Sequence, residues 1–576
     1  MVQGLSARSG DPGRLTVAAS ERVRRGPIGA AWRWPVALVS GLLQAAALAL
    51  PGSGQSSGCL QIVGVGLAYL VLRGSATVGG AALAGWLAGA SSLVATFWWL
   101  FISMHTYGGL AAPLAAAAVL ALAAFLALYY GAAGALWCWL CGVGPAKGPR
   151  SGDGVQSGDG GACAAWRRIG FFALLWLGAE LLRGGLWTGF PWGAGGYAHV
   201  DNPLLRPLAP WIGVYGLGAV AAALGAVAVE ALCALRRRNG AQAVRVTGLG
   251  VLLLLAGPGL AWLKTQIPAW QGHDNGTLSV SLLQGNIPQD EKFEFGAGID
   301  RSLIWYGQQL WAAQGDLIVT PETAIPLLPE QLPPDYWRYL EESVTSGGRA
   351  ALVGAPLGNF EVGYTNSVVG VAPGQPAGQT VGQTYRYDKH HLVPFGEFIP
   401  PMFRWFTDLM NIPLGDFNRG PLGQPSFAWK GQRLAPNICY EDLFGEELAR
   451  TFADPEQAPT VLVNMSNIGW FGNTLAVDQH LHISRMRSLE FERPMLRATN
   501  TGATAIIDHE GQVAASLEPY TVGVLQGEVT GRTGLTPYAA WTSQWGLLPL
   551  QAGVGVLLLM AVWRRRRAGR LLHSSP

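Results

Sequence analysis

The sequence predicts a two-part molecule: a polytopic α-helical membrane bundle of about eight spans that carries an α/β domain. Three observations predict it. The 576-residue chain is 50% hydrophobic and only 13% charged, which is low for a soluble protein. Its acidic residues fall mostly after position 274, so a lipid-like first part precedes a more ordinary globular one. From Thr277 onward, short β-rich runs alternate with helical stretches. No internal repeat and no nucleic-acid signature is visible, so no nucleic-acid partner is expected.

Residues 1–30 form a basic tail with Arg8, Arg14, Arg22, Arg24 and Arg25 among Gly and Ser. Apolar spans follow near 31–50, 58–73, 76–101, 110–142, 169–187, 210–235 and 246–266, and another lies at 545–563. The second is short and suits a tight hairpin with the first. Positive charges orient them. The tail precedes span one and Arg73 follows span two. Lys147, Arg150, Arg167 and Arg168 lie between spans four and five, in and just after a Gly/Ser-rich loop at 143–167. Arg236, Arg237, Arg238 and Arg245 separate spans six and seven, and a second basic tail, 564–576, closes the chain. All fall on one side if the N-terminus is cytoplasmic. The expected division is therefore a membrane part at 31–266, an outer domain at 267–544 and a last span at 545–563. Ala47-Leu48-Ala49 has the small-residue pattern of a signal-peptidase site, but span one is read as an uncleaved anchor.

Two features of the membrane part stand out. Glu180 and Arg183 are spaced i, i+3 on span five and can pair on one helix face; intramembrane charges mark function or a buried structural pair. Thr188-Gly189-Phe190-Pro191-Trp192 is an aromatic turn at the outer end of that span, as in an interfacial aromatic belt.

In the outer domain, strands are expected at 278–283, 317–319, 350–353, 367–371, 461–463 and 504–507, with helices around 299–314 and 478–492. Chemistry in such layered sheets collects beyond the strand ends. Of six cysteines only Cys439 lies here, so this domain holds no internal disulfide. Cys138 and Cys141 form a C-x-x-C without a second ligand pair, and no metal site is visible.

Cys439 sits in Asn437-Ile438-Cys439-Tyr440-Glu441-Asp442, read as a strand end entering a helix whose N-terminal dipole would favour the thiolate. Most lone cysteines are small buried hydrophobes. Two other positions offer matching chemistry. Glu322 follows an apolar strand, where partial desolvation would raise its pKa and make it a better base. Lys389, in Tyr387-Asp388-Lys389-His390-His391, could hold a developing oxyanion. Taken singly, a helix-terminal charge, a surface cation and a core cysteine are the plainer readings.

Together, Glu322, Lys389 and Cys439 in these surroundings resemble the Glu-Lys-Cys triad of the nitrilase (carbon–nitrogen hydrolase) superfamily. The fuller resemblance is to the apolipoprotein N-acyltransferase family of the bacterial inner membrane. It is carried by Gln284-Gly285-Asn286-Ile287-Pro288-Gln289, Pro321-Glu322-Thr323-Ala324-Ile325-Pro326, Ile438-Cys439-Tyr440-Glu441, and Ser466-Asn467 with Trp470-Phe471-Gly472. Lys389 onward, Arg485-Met486-Arg487, Arg497-Ala498-Thr499-Asn500 and Gly534-Leu535-Thr536-Pro537-Tyr538 also match, so the likeness covers nearly the whole chain. Phe293 stands where the family often has tryptophan, and Ile468-Gly469 replaces its acidic-small pair.

The resemblance implies a nitrilase-like αββα sandwich on a membrane bundle, facing the periplasm. It implies that Cys439 takes an acyl chain from a phospholipid as a thioester, with Glu322 as base and Lys389 on the oxyanion. The N-terminal amine of a diacylglyceryl apolipoprotein then discharges it. Glu397, Tyr440 and Glu441 would support the triad, and Phe293, Trp470, Phe471 and Trp192 would line the substrate path. No cofactor is expected, because an ester already carries the activation, and a monomer is expected. The apolar segment Met402-Phe403-Arg404-Trp405-Phe406 through Ile412-Pro413-Leu414 suits a loop dipping into the interface or an amphipathic helix. Alternatives are a membrane-anchored nitrilase-type amidase, a non-catalytic lipid-binding scaffold, and an acyltransferase for another nucleophile.

Overall fold

The computed structural model describes residues 30–141, 160–374, 381–382, 384–399 and 417–573. The expected tail at 1–30, most of the 143–167 insert and the apolar segment 402–414 lie outside them. The Ala-, Leu- and Gly-rich runs form helices α1 (Arg33–Leu48), α2 (Gly58–Arg73), α3 (Val78–Phe97), α4 (Ala112–Leu126) and α5 (Leu128–Cys141). They continue as α6 (Gly160–Gly185), α7 (Ala209–Arg236) and α8 (Gly240–Thr265). Three of these starts carry side-chain caps: Ser57 accepts from the Leu60 N–H, Thr77 from Gly80 and Asn239 from Gln242. The expected span 110–142 is two helices that meet at Ala127. Residues 160–167, expected in the loop, belong to α6.

Among the described residues, four stretches are long and apolar enough to cross a membrane: Val78–Phe97, Ala112–Cys141, Arg206–Arg236 and Gly240–Thr265. A fifth arises if the bent pair Pro537–Trp545 and Leu548–Arg567 counts as one. Helices α1 and α2, at 16 residues each, fall short of that length. Small residues bring the helices close: a Cβ on Gly225 of α7 would sit 2.8 Å from the backbone nitrogen of Gly66 on α2.

Among the described residues, the second part has twelve strands in two sheets. The first is built from β1 (His273–Gln284), β2 (Leu317–Val319), β3 (Ala350–Asn359), β4 (Gly363–Val371) and β5 (Arg386–Asp388). The second holds β6 (Phe427–Trp429), β7 (Gln432–Ile438), β8 (Val461–Ser466), β9 (Met495–Thr499), β10 (Ala505–Ile507) and β11 (Val513–Ser516). Strand β12 (Gly523–Thr533) returns to pair antiparallel with β1, giving the orders β12-β1-β2-β3-β4-β5 and β11-β10-β9-β8-β7-β6. Leu282, Val319 and Leu352 of one sheet and Ile438, Val463 and Leu496 of the other share one core. Outside the first sheet pack α9 (Gly298–Ala312) and α10 (Tyr336–Thr345), burying Tyr306 and Leu340. Outside the second pack α11 (Ala476–Phe491) and α12 (Pro537–Trp545), burying Phe491 and Tyr538. The result is a four-layer αββα sandwich.

The centre of each sheet is parallel: β1, β2 and β3 in one, β7, β8 and β9 in the other. Parallel strands bring their C-terminal ends to one edge, where side chains from separate loops can meet. The bundle packs there, because Tyr440, Leu443, Phe444, Ile468 and Met486 belong to the same buried cluster as the helices. The last helix, α13 (Leu548–His573), runs on through the positions expected as a basic tail.

Candidate active site

Strand β7 ends at Ile438, and Cys439 opens a five-residue 3₁₀ turn, Cys439–Leu443. Its φ is 53°, a left-handed conformation that costs a residue with a Cβ about 1–3 kcal/mol and persists only where surroundings enforce it. They do. Glu441 reaches back so that its Oε2 accepts from the Ile438 N–H at 2.7 Å. The Cys439 carbonyl accepts from Asn464 Nδ2 at 3.1 Å and lies 3.3 Å from His480 Nε2. Arg497 donates to His480 Nδ1 at 2.8 Å, and an arginine can only donate, so His480 carries its hydrogen on Nε2. That hydrogen faces Asp442 Oδ1 at 2.9 Å.

Glu322 stands in the turn after β2, beside Thr323 at φ 48°. Its Oε1 accepts from Asn366 Nδ2 at 2.8 Å and Lys389 Nζ at 3.2 Å, and its Oε2 from the Asn467 N–H at 2.9 Å. Lys389 follows β5 and also donates to Glu397 Oε1 at 2.9 Å. Asn366 bridges both carboxylates, reaching Glu397 Oε1 at 2.8 Å. Glu441 staples the lysine loop to the nucleophile strand: its Oε1 accepts from the His390 and His391 N–H groups, and its Oε2 from the Tyr387 hydroxyl. The three expected triad residues and Glu397, Tyr440 and Glu441 are thus brought together.

The electrostatics correct two expectations. Burial pushes the Cys439 thiol up to about 12, the charge of Glu322 adds to this, and Lys389 offsets only part of it. No helix dipole makes a resting thiolate, since the turn is 3₁₀ and the helix after it, Gly445–Leu448, is only 4 residues long. Burial also pushes Glu322 up, but the ammonium groups of Lys389 and Lys292 more than offset it and hold the carboxyl below its usual range. Lys389 in turn resists burial and stays above the usual lysine value because Glu322 and Glu397 flank it. The resting arrangement is therefore a thiol facing an ionised carboxylate, which can take its proton as the sulfur attacks. Lys389 stays charged to meet a developing oxyanion.

The expected substrate residues divide. Trp192 is 3% exposed and donates its indole N–H to Gln479 of α11 at 2.8 Å. It packs with Trp99 and Phe471, whose rings lie 4.8 and 6.1 Å away. The turn at 188–192 is therefore a joint to the sandwich, not a lipid-facing belt. Trp470 stands nearby against Tyr107, at 5.9 Å. The Phe293 ring lies 5.9 Å from Lys292 Nζ. Glu180 and Arg183 do not bond each other. Arg183 donates to the Phe190 and Trp192 carbonyls at 2.6 and 2.7 Å, and Glu180 accepts from the Gly195 N–H at 3.0 Å. Both tie down the aromatic turn. Sequence reasoning missed Asn366, His480 and Lys292. Asn366 sits one residue before an expected strand, and nothing in its type marks it.

This fold and site define the class: a carbon–nitrogen hydrolase sandwich with a cysteine at a strand end. The family model described as carbon-nitrogen hydrolase matches residues 280–538. A second, described as apolipoprotein N-acyltransferase N-terminal domain, matches residues 40–227. A relative named apolipoprotein N-acyltransferase from Verminephrobacter eiseniae is 54% identical, covering 90% of this chain and 94% of its own. One of the same name from Ralstonia nicotianae is 46% identical over 88% of this chain and 90% of its own. A third, from Bordetella bronchiseptica, is 43% identical over 94% and 98%. The chain belongs to the apolipoprotein N-acyltransferase family. The likeness runs through the helical bundle, which an amidase on a single anchor would leave unexplained.

Proposed function

We propose that the enzyme N-acylates the N-terminal S-diacylglyceryl-cysteine of apolipoproteins, taking the acyl chain from a phospholipid through a thioester on Cys439. The observation that carries this is the ionised Glu322, which shares Lys389 with Glu397, close to a thiol in an enforced left-handed turn. Glu322 takes the thiol proton as the sulfur adds to the ester carbonyl. Lys389 meets the oxyanion, the C–O bond breaks, and the lysophospholipid leaves with the proton from Glu322. The lipoprotein amine then adds to the thioester carbonyl and gives up a proton through Glu322. The C–S bond breaks, and amide and thiol result. Glu397 and Glu441 hold Lys389 in place. Such covalent relay predicts ping-pong kinetics.

Both substrates are lipids, and the continuity of the bundle core with Tyr440, Phe444 and Ile468 supports a site reached from the bilayer. In this reading Trp470, Phe471 and Phe293 flank that route, and the buried Trp192 braces the turn behind it. We place eight spans in the bacterial inner membrane, seven within 31–266 and one at 545–563. The basic N-terminal stretch, the chain between spans four and five and the basic C-terminal end are then cytoplasmic, and 267–544 is periplasmic. The alternation of arginine clusters supports this. One copy of the chain supplies every proposed site residue.

Intact mass spectrometry of the purified protein with phospholipid tests the reading. Wild type gains one fatty-acyl mass, Cys439→Ala does not, and a diacylglyceryl-cysteine peptide discharges the adduct. A loaded Cys439 that the peptide leaves untouched points to another acceptor. No adduct with lipid bound sinks the thioester.

A further inference from the structure

The candidate site contains more negative charge than Lys389 alone balances. Glu322 and Glu397 share that one ammonium, at 3.2 and 2.9 Å. Glu441 is satisfied by neutral donors only: three backbone N–H groups and the Tyr387 hydroxyl. Ionising Cys439, which is only partly exposed, adds a further negative charge close to these carboxylates. A second cation is on hand. Lys292, on the segment between β1 and α9, is 2% exposed, and its Nζ donates to the Glu322 carbonyl at 3.1 Å and Thr323 Oγ1 at 2.7 Å. Among the described residues it forms no ion pair.

A buried ammonium held only by neutral oxygens is costly unless a nearby anion keeps it charged. Burial lowers the Lys292 pKa to about 8, and the opposing influences are Glu322 and Cys439. The same coupling appears from the other side, since Lys292 follows Lys389 among the charges that hold Glu322 ionised. Lys389, after β5, acts on Glu322, and Cys439, at the end of β7, acts on Lys292; Glu397 from the loop after β5 and Arg497 on β9 act on Cys439. Asn366 and Asn467 complete the Glu322 carboxylate without charge.

We infer that Lys292 is a positioning residue of the transfer reaction: it pins the left-handed Glu322–Thr323 turn and supplies the second positive charge that keeps Glu322 ionised and stabilises the Cys439 thiolate. The inference rests on the proposed roles of Glu322 and Cys439. It gives the enzyme a two-sided pH profile with a group on each limb. The acidic limb is Glu322 gaining a proton, and it moves upward if Lys292 loses its charge. The alkaline limb, near pH 8, is Lys292 losing its own proton, and it vanishes if the residue cannot titrate.

The test is the rate of acyl loading on Cys439 in the full-length protein, followed by intact mass from pH 3.5 to 10 in mixed micelles of phosphatidylethanolamine and phosphatidylglycerol. Lys292→Gln loads at least about tenfold more slowly at pH 7, and its acidic limb rises by about one pH unit. Lys292→Arg keeps the acidic limb and loses the alkaline one. Thr323→Ala, which removes a bond to Nζ but no charge, leaves both limbs in place. A Lys292→Gln profile that superposes on wild type after scaling overturns the inference, as does a Thr323→Ala profile with shifted limbs. If Lys292→Gln does not fold, a Lys292→Arg enzyme that still loses activity near pH 8 overturns it equally. Wild type that never loads, or Glu322→Gln that loads as fast as wild type, fails the parent reading instead.

Discussion

The helical bundle and the sandwich both bury charge, and they put it to opposite uses. In the bundle each buried charge serves as a fastening. Glu230 on α7 accepts from Arg73 of α2 at 2.8 Å, from Arg168 of α6 at 2.7 Å and from the Tyr69 hydroxyl at 2.6 Å, binding three helices at one point. Arg183 spends its hydrogen bonds on the carbonyls of a turn. In the sandwich, Glu322 and Glu397 lie close to one thiol and share a single salt-bridged ammonium, Lys389, while Lys292 sits beside them with no ion pair among the described residues. A fully matched buried charge holds geometry but does no chemistry. An incompletely matched cluster is able to move a proton, and the bundle packs against the edge of the sandwich where that cluster sits.

The largest effect that would sharpen this contrast is on the sandwich side. Cys439→Ala abolishes the acyl adduct, and Glu322→Gln slows loading by about 10²–10⁴-fold, the range for a lost general base, with the protein still folded by circular dichroism. If Glu322→Gln instead unfolds the protein, the site's charges are fastenings too.

Next comes pH. The folded pKa of Glu322 lies below its unfolded value of about 4.3, so its ionised form favours the fold above that value. This contribution disappears as pH falls through the depressed folded value. Chemical denaturation between pH 6 and pH 3.5 should show wild type losing more stability than Glu322→Gln. Equal losses would remove the ion cluster from the account.

On the bundle side, Arg183→Met leaves the Phe190 and Trp192 carbonyls without a donor. It should cost about 1.5–3 kcal/mol in thermal unfolding in detergent. Loading should fall too, because Tyr440 donates to Gly189 in that same turn at 3.1 Å. Loss of activity with unchanged stability would make Arg183 a chemical residue and blur the two regions.

A smaller step is Trp192→Phe, which keeps the ring but frees Gln479 of one donor. The Trp99 indole still donates to it at 3.2 Å, so the expected cost is about 1 kcal/mol. As the baseline, Trp311→Ala on the exposed face of α9 should shift stability by less than about 0.5 kcal/mol.

What the sequence by itself determined is local. Apolar runs near membrane length, strands ending at Glu322 and Cys439, and the outer-domain helices all follow from which residues stand next to one another, and all are present. Ionisation was not legible, nor were the partners. Lys389 meets Glu322 across 67 positions, and Trp192 meets Gln479 across 287. The sequence therefore suggested a pair for Glu180 and Arg183 by spacing, a raised Glu322 and a thiolate-favouring helix end for Cys439. Only the tertiary structure decided otherwise. A pKa is set by the burial and charges within a few ångströms, and a hydrogen bond by what comes within about 3 Å. Those neighbours are fixed only when two sheets and a helical bundle close on one another.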